Sequence, residues 1–158
     1  MLTHERLLEV LDYDSLTGIF KWRISKARRV CAGDIAGHKD QLGYIIIVID
    51  QKYYKAHRLA WFYITGELPQ QHIDHKNRVR DDNRLNNLRL ATRFQQRVNS
   101  KTIRNGLKGA WRNGNKWSAE IRANGEKRYL GIFDTELEAH EAYCQAAREL
   151  HGEFACVN

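Results

Sequence analysis

At 158 residues the chain has room for one ordinary domain or two small ones, and 28% charged beside 42% hydrophobic residues describe a globular protein, not a disordered tail. No apolar run reaches about eighteen residues, which excludes a transmembrane helix. The net charge of +7 favours an anionic partner, nucleic acid or an anionic surface, and Cys31, Cys144 and Cys156 are too scattered for a zinc ribbon.

The opening residues MLTHERLLEV are too polar for a secretory leader, and the cysteine usage is that of a reducing cytoplasm. Thr3 can cap a short helix through Leu11, with Leu7, Leu8 and Leu11 on one face. Asp14 to Gly18 reads as a turn and Ile19 to Trp22 as a strand. Residues 24–40 are basic and poorly periodic, a loop with a short strand near Ile35. Tyr44 to Ile49 is an apolar run of strand length that turns through Asp50 to Lys52 into Tyr53 to Ala56, a hairpin. Arg58 to Thr65 follows as a helix capped by Gly66, and Pro69 stops any continuation. His57, just before that helix, is read as a cap or packing residue.

Gln71 to His75 then reads as a strand, 76–86 as a polar loop and Leu88 to Ala91 as a return strand. Thr92 with Gln95 has the spacing of a capping box, so a helix is expected from Arg93. Residues 101–106 are polar and aperiodic and are taken as a linker between residues 1–100 and 107–158. In the second part, Leu107 to Trp111, Lys116 to Ala123 and Lys127 to Phe133 read as three strands joined at Asn113-Gly114 and Asn124-Gly125. Thr135 and Glu138 form a second capping box, and the helix after it carries Ala139, Ala142, Tyr143, Ala146, Ala147 and Leu150 on one face.

The chemistry concentrates in residues 74–87, where Asp74, His75, Asn77, Asp81, Asp82, Asn83, Asn86 and Asn87 fall within fourteen positions. A carboxylate suits a hard divalent cation, an imidazole can take a proton near neutral pH, and amides can orient both. Lys76, Arg78, Arg80, Arg84, Arg89, Arg93 and Arg97 surround the cluster. Acids inside a basic sleeve suit a polyanionic substrate.

Asp74-His75-Lys76-Asn77, Asp82-Asn83-Arg84, Asn87-Leu88-Arg89 and Thr92, with His57-Arg58-Leu59-Ala60-Trp61 and Gly66 upstream, resemble the phage HNH endonucleases. The resemblance implies an α+β fold with a ββα-metal module at about 71–99, within a nuclease domain spanning 1–100. It further implies His75 as general base and Asp74 as ligand of one Mg2+ or Mn2+. Asn87 would fix the imidazole or its loop, and Arg84 and Arg89 would sit on flanking phosphates. The family carries Asn as second metal ligand four residues after the Thr, and this chain carries Gln96 there. The alternative implied by that departure is a DNA-binding or regulatory protein that keeps the fold but cleaves weakly or not at all.

Lys108-Gly109-Ala110, Trp117 to Arg122, Tyr129 to Thr135 and Glu138-Ala139 resemble the APETALA-type (ethylene-response-factor-like) DNA-binding domain, a three-stranded antiparallel sheet with one helix. Carried over by position, its candidates for DNA contact are Lys108, Trp111, Arg112, Lys116, Trp117, Arg122 and Arg128; packing against the following helix is the alternative for both tryptophans, for Trp117 before Trp111. Together the two resemblances imply an enzyme acting on double-stranded DNA in the cytoplasm of a phage host. It would work as a monomer or weak dimer, with no membrane partner.

Overall fold

Thr3 accepts the Arg6 amide and so opens α1 (His4–Val10). The computed structural model of the chain describes residues 2–25, 30–100, 106–123 and 125–157. The architecture is mixed α/β, with several small antiparallel sheets and four α-helices among the described residues. The chain divides into two compact units, Met1–Thr92 and Arg93–Asn158.

In the first unit α1 stops one residue short of the expected end. Leu11 instead begins β1 (Leu11–Asp14), which pairs antiparallel with β2 (Ile19–Trp22) from Leu11↔Trp22 to Asp14↔Ile19. The burial alternates along β1, Leu11 and Tyr13 in and Asp12 and Asp14 out, which is strand periodicity. The expected strand at Ile35 is a single bridge to Lys21. A three-stranded meander follows: β3 (His38–Lys39), β4 (Ile45–Ile49) and β5 (Lys52–Lys55). Asp50 and Gln51 form its tight turn with φ of 46° and 63°, the two left-handed positions that a two-residue hairpin requires. The helix α2 (Ala56–Thr65) ends at Gly66, φ 75°, whose amide returns to the Phe62 carbonyl at 2.9 Å. Leu7, Val10, Leu11, Ile47, Leu59 and Ala60 form the fully buried centre of this unit. Against that core lies the pair β6 (His72–His75) and β7 (Leu88–Ala91), in register from His72↔Ala91 to His75↔Leu88.

The second unit begins with α3 (Arg93–Val98). Lys108 Nζ donates to the Val98 and Ser100 carbonyls at 2.8 and 2.6 Å, a cation placed where a helix exposes its last acceptors. The expected linker 101–106 lies outside the described residues except for Gly106, as does Asn124 of the second hairpin turn. The sheet has the order β10-β9-β8, from β8 (Ala110–Asn113), β9 (Lys116–Ala123) and β10 (Glu126–Phe133). Its first strand starts at Ala110, later than the expected Leu107, because Gly109 is turned out of strand geometry at φ 80°. A side chain at Gly109 would overlap the Tyr143 ring, so only glycine lets this backbone reach the helix. The turn is Gly114-Asn115, one residue later than the Asn-Gly pair suggested. Thr135 and Glu138 form the expected capping box at the start of α4 (Glu136–His151), with both bonds present. Ile121, Tyr143, Cys144 and Ala147 make the core between sheet and helix. Among the described residues no helix is long and apolar enough to cross a membrane.

Candidate active site

The residues singled out in the polar stretch receive different partners, and the pairing of β6 with β7 decides which. Asp74 stands opposite Arg89 in register, and directly opposed residues share a face. Arg89 donates to Asp74 Oδ2 from Nε at 3.0 Å and from Nη2 at 2.9 Å, both side chains being buried. Arg89, expected on a flanking phosphate, thus has an internal carboxylate as a partner. The physical reason is register: a guanidinium opposite a buried carboxylate neutralises it at the shortest reach.

His75, one residue on, meets a different set of neighbours, as alternation along a strand requires. Its ring is buried, and Nε2 lies 3.2 Å from Asn83 Oδ1. Asn83 is itself 2% exposed, and its Nδ2 donates to the Asp81 carbonyl at 3.3 Å. That donation orients the amide, leaving its oxygen towards the imidazole. The oxygen can only accept, so this hydrogen bond requires the neutral tautomer with the proton on Nε2 and the lone pair on Nδ1. Burial pushes the His75 pKa down, partly offset by the Asn83 bond and by the nearby Asp74, Asp82 and Asp81 charges.

Two further rings close on His75. His57 packs edge-on at 5.0 Å between centroids, and Tyr44 lies 6.1 Å from His75 and 5.3 Å from His57. Lys55 Nζ stands 4.2 Å and Arg80 Cζ 5.2 Å from the Tyr44 ring centre. His57 Nδ1 is buried without a hydrogen-bond partner. Burial, helped by positive charge at His75, Lys55 and Arg58, pushes the His57 pKa down to about 3.

Asn87 braces the loop, not the ring. Its Oδ1 accepts the Asn77 amide at 3.0 Å, and its Nδ2 donates to Asn77 Oδ1 at 3.0 Å and to the Asp82 carbonyl at 2.8 Å. Arg84 lies on Asp82, with Nε 2.7 Å from Oδ1, and this pairing holds the Asp82 carboxyl down to about 2. Gln96 sits half-buried on α3, in the second unit. Among the described residues no three His, Cys, Asp or Glu side chains gather to hold a metal. The donor type still suits a hard cation that keeps several waters, since the Asp74 carboxylate offers oxygen.

In the second unit, register sorts the candidate DNA contacts. Trp111 opposes Ser118, and Arg122 opposes Lys127, on the outward face with Tyr129. Arg112 opposes Trp117, and Arg128 opposes Ile121, on the face that carries the α4 packing. Both arginines remain exposed at its margin, and Trp117 is half-buried. Lys116 pairs with Asp134 at 2.8 Å, and Lys108 is committed to the end of α3.

Residues 54–98 match the family described as HNH endonuclease. Over 151 residues the chain is 34% identical to an uncharacterized HNH endonuclease of Acanthamoeba polyphaga mimivirus, covering 94% of this chain and 72% of that protein. The chain belongs to the HNH endonuclease family. It also shares 51% identity over 45 residues with dehydration-responsive element-binding protein 2A of Oryza sativa and with protein 2D of Arabidopsis thaliana. That likeness covers 27% of this chain, and 16% and 22% of the plant proteins. No solved structure matches the chain.

Asn83 as a partner of the imidazole was not expected, and Tyr44, expected only as the start of a strand, stands beside both His57 and His75. His57 was expected ahead of the helix as a cap or packing residue; it lies inside α2, whose N-cap is Lys55, and packs against His75. The available signal for Asn83 was its position in the Asp-Asn-Arg triplet; nothing local distinguished it from Asn77, Asn86 or Asn87.

Proposed function

We propose that this HNH-family chain is a metal-dependent endonuclease hydrolysing phosphodiester bonds in double-stranded DNA, with a ββα-metal module in its N-terminal part and a docking module in its C-terminal part. The observation that carries the reading is the buried imidazole of His75 with its Nε2 3.2 Å from the accepting Asn83 Oδ1, an arrangement that suits Nδ1 as the basic nitrogen. His75 Nδ1 takes a proton from water, and the resulting hydroxide attacks phosphorus in line with the departing 3′ oxygen. Asp74, steadied by Arg89, supplies the carboxylate for one Mg2+ or Mn2+, which would supply positive charge to the phosphate oxygens as they gain negative charge. Asn87 holds the loop that carries the site, and Arg84 and Lys76 line its exposed rim. DNA docks on the outward face of β8–β10 through Trp111, Arg122, Lys127 and Tyr129, in keeping with the width of the major groove. The short likeness to plant element-binding proteins supports that docking.

One observation favours a second reading. Arg89 places positive charge within 3.0 Å of the proposed ligand Asp74, which weakens that carboxylate's pull on a divalent ion. A DNA-binding protein with little cleavage would tolerate that pairing. Incubation of supercoiled plasmid with Mg2+ or Mn2+ separates the two. Nicking by the native chain that is lost in His75→Ala supports the nuclease; DNA binding without nicking in either ion supports the second reading.

A further inference from the structure

We propose that the β1–β2 hairpin, outside the family-matched residues 54–98, belongs to the catalytic apparatus as a clamp. Tyr13 and Gly18 hold Asn83, and Asn83 sets the tautomer and orientation of the His75 ring. The inference rests on His75 being the general base and makes Asn83, Tyr13 and Gly18 positioning residues.

The contacts form a continuous chain. The Tyr13 hydroxyl donates to the Asn83 backbone carbonyl at 2.7 Å in a buried setting. Its ring is fixed by stacking on Phe20, centroids 4.6 Å apart. Burial pushes the phenol up to about 12, so Tyr13 stays a donor throughout the neutral range. The turn between β1 and β2 adds a second tie, the Leu85 amide donating to the Ser15 carbonyl at 3.1 Å. Gly18, φ 76°, then allows backbone to meet backbone: a Cβ there would stand 2.6 Å from the Asn83 carbonyl carbon and closer still to the Arg84 nitrogen. The hairpin therefore fixes the Asn83 main chain from two sides. The Asp81 carbonyl fixes its side-chain amide, and the amide oxygen faces His75 Nε2.

A neutral imidazole in water exchanges between two tautomers, and only one leaves the lone pair on Nδ1. An acceptor held at Nε2 selects that form before substrate arrives. A loop asparagine free to turn its amide would present a donor to Nε2 as easily as an acceptor and would select nothing. The hairpin makes the choice permanent, and it explains why a buried tyrosine spends its hydroxyl on a loop carbonyl seventy positions away.

The test uses the full chain labelled with 15N-histidine, the His75 signals being assigned by their loss in His75→Ala. At about pH 8, where the ring is neutral, the native chain should show a single tautomer protonated at Nε2. Asn83→Ala should give a mixture of tautomers, and Asn83→Asp, which keeps an oxygen facing the ring, should restore the single form. Tyr13→Phe should give a partial mixture. Plasmid cleavage should follow: kcat in Asn83→Ala falls on the order of 10–10²-fold with KM unchanged, and Asn83→Asp recovers most of it. If Asn83→Ala does not fold by far-UV circular dichroism, Tyr13→Phe decides. A ring that keeps one Nε2–H tautomer in every folded variant overturns the clamp. Tautomer mixing in a chain that never cleaves plasmid upholds the clamp and instead removes the nuclease reading.

Discussion

The orphaned nitrogen of His57 makes acid stability a quantitative test of the packing around the site. His57 is 6% exposed, and its pKa is lowered from 6.5 to about 3, burial being the largest cause. In the unfolded chain the same ring takes a proton near its ordinary value, so between these limits the unfolded state binds more protons. Stability must then fall as pH drops below about 6.5, by about 1.4 kcal/mol per pH unit, and level off near the folded value. The full span amounts to roughly 4–5 kcal/mol, a large share of the usual 5–15 kcal/mol of a folded domain. His57→Phe keeps a flat ring against His75 and Tyr44 and removes the titrating group. Other groups also titrate in this range, so the quantity to measure is the difference between variant and native chain. Urea unfolding followed by tryptophan fluorescence should show that difference growing by roughly 2–3 kcal/mol in favour of the variant from about pH 7.5 to about pH 4.5. Any fixed cost of fitting the larger ring appears equally at both ends. Parallel stability curves over that interval would refute the reasoning, since they would mean that His57 is hydrated or protonated in the folded chain.

Arg89→Met should destabilise the first unit by roughly 3–5 kcal/mol in urea unfolding, because it strands the buried Asp74 carboxylate without its guanidinium; a loss under about 1 kcal/mol would mean that the pair is solvated. Arg122→Ala should lower the slope of log affinity against log salt by about 0.9 for duplex DNA, whereas Arg112→Ala, on the α4 side of the sheet, should lower it less; equal effects would contradict the assignment of faces. Gln96→Asn, restoring the shorter side chain that the family pattern carries, should raise Mg2+-dependent plasmid nicking; unchanged nicking in both Gln96→Asn and Gln96→Ala would remove residue 96 from the ligands that the family resemblance implies.

Local signals read the elements well where chain and core agree. The capping residues Thr3 and Thr135, the C-terminal Gly66 and the strand β9 all stand where side-chain chemistry or alternation put them. Leu11 shows the opposite case. It continues the apolar spacing of α1, yet it is fully buried as a strand residue because β2 offers it a ladder from Trp22. The two-residue strand β3 has no periodicity to detect and exists only through its pairing with β4. Register was invisible for the same reason. The sequence shows that Asp74 and Arg89 both occur, but only the offset between β6 and β7 makes them partners and withdraws Arg89 from the surface. The same holds for Arg112 and Arg128, basic residues whose face is decided by the strand opposite.

The density of asparagine and aspartate in residues 76–87 looks catalytic, yet most of it answers a backbone need. This stretch leaves one strand and enters the next with only a single 3-10 turn, so many of its amides and carbonyls lack ladder partners. Asn77 Oδ1 takes the Val79 amide at 2.9 Å, Asn87 takes the Asn77 amide, and Asn77 Nδ2 reaches Asp82 Oδ2 at 2.6 Å. Short polar side chains are suited to this because they reach main chain two to ten positions away without burying apolar bulk. Once those bonds are assigned, Asn83 differs from its neighbours: its side chain faces an imidazole while its main chain is held by Tyr13. The loop is therefore a hydrogen-bonded mount, and the chemistry proposed above rests on two pairs beside it, His75 with Asn83 and Asp74 with Arg89. A substitution at Asn77 or Asn87 should accordingly loosen the whole loop, whereas one at Asn83 should act on the ring first.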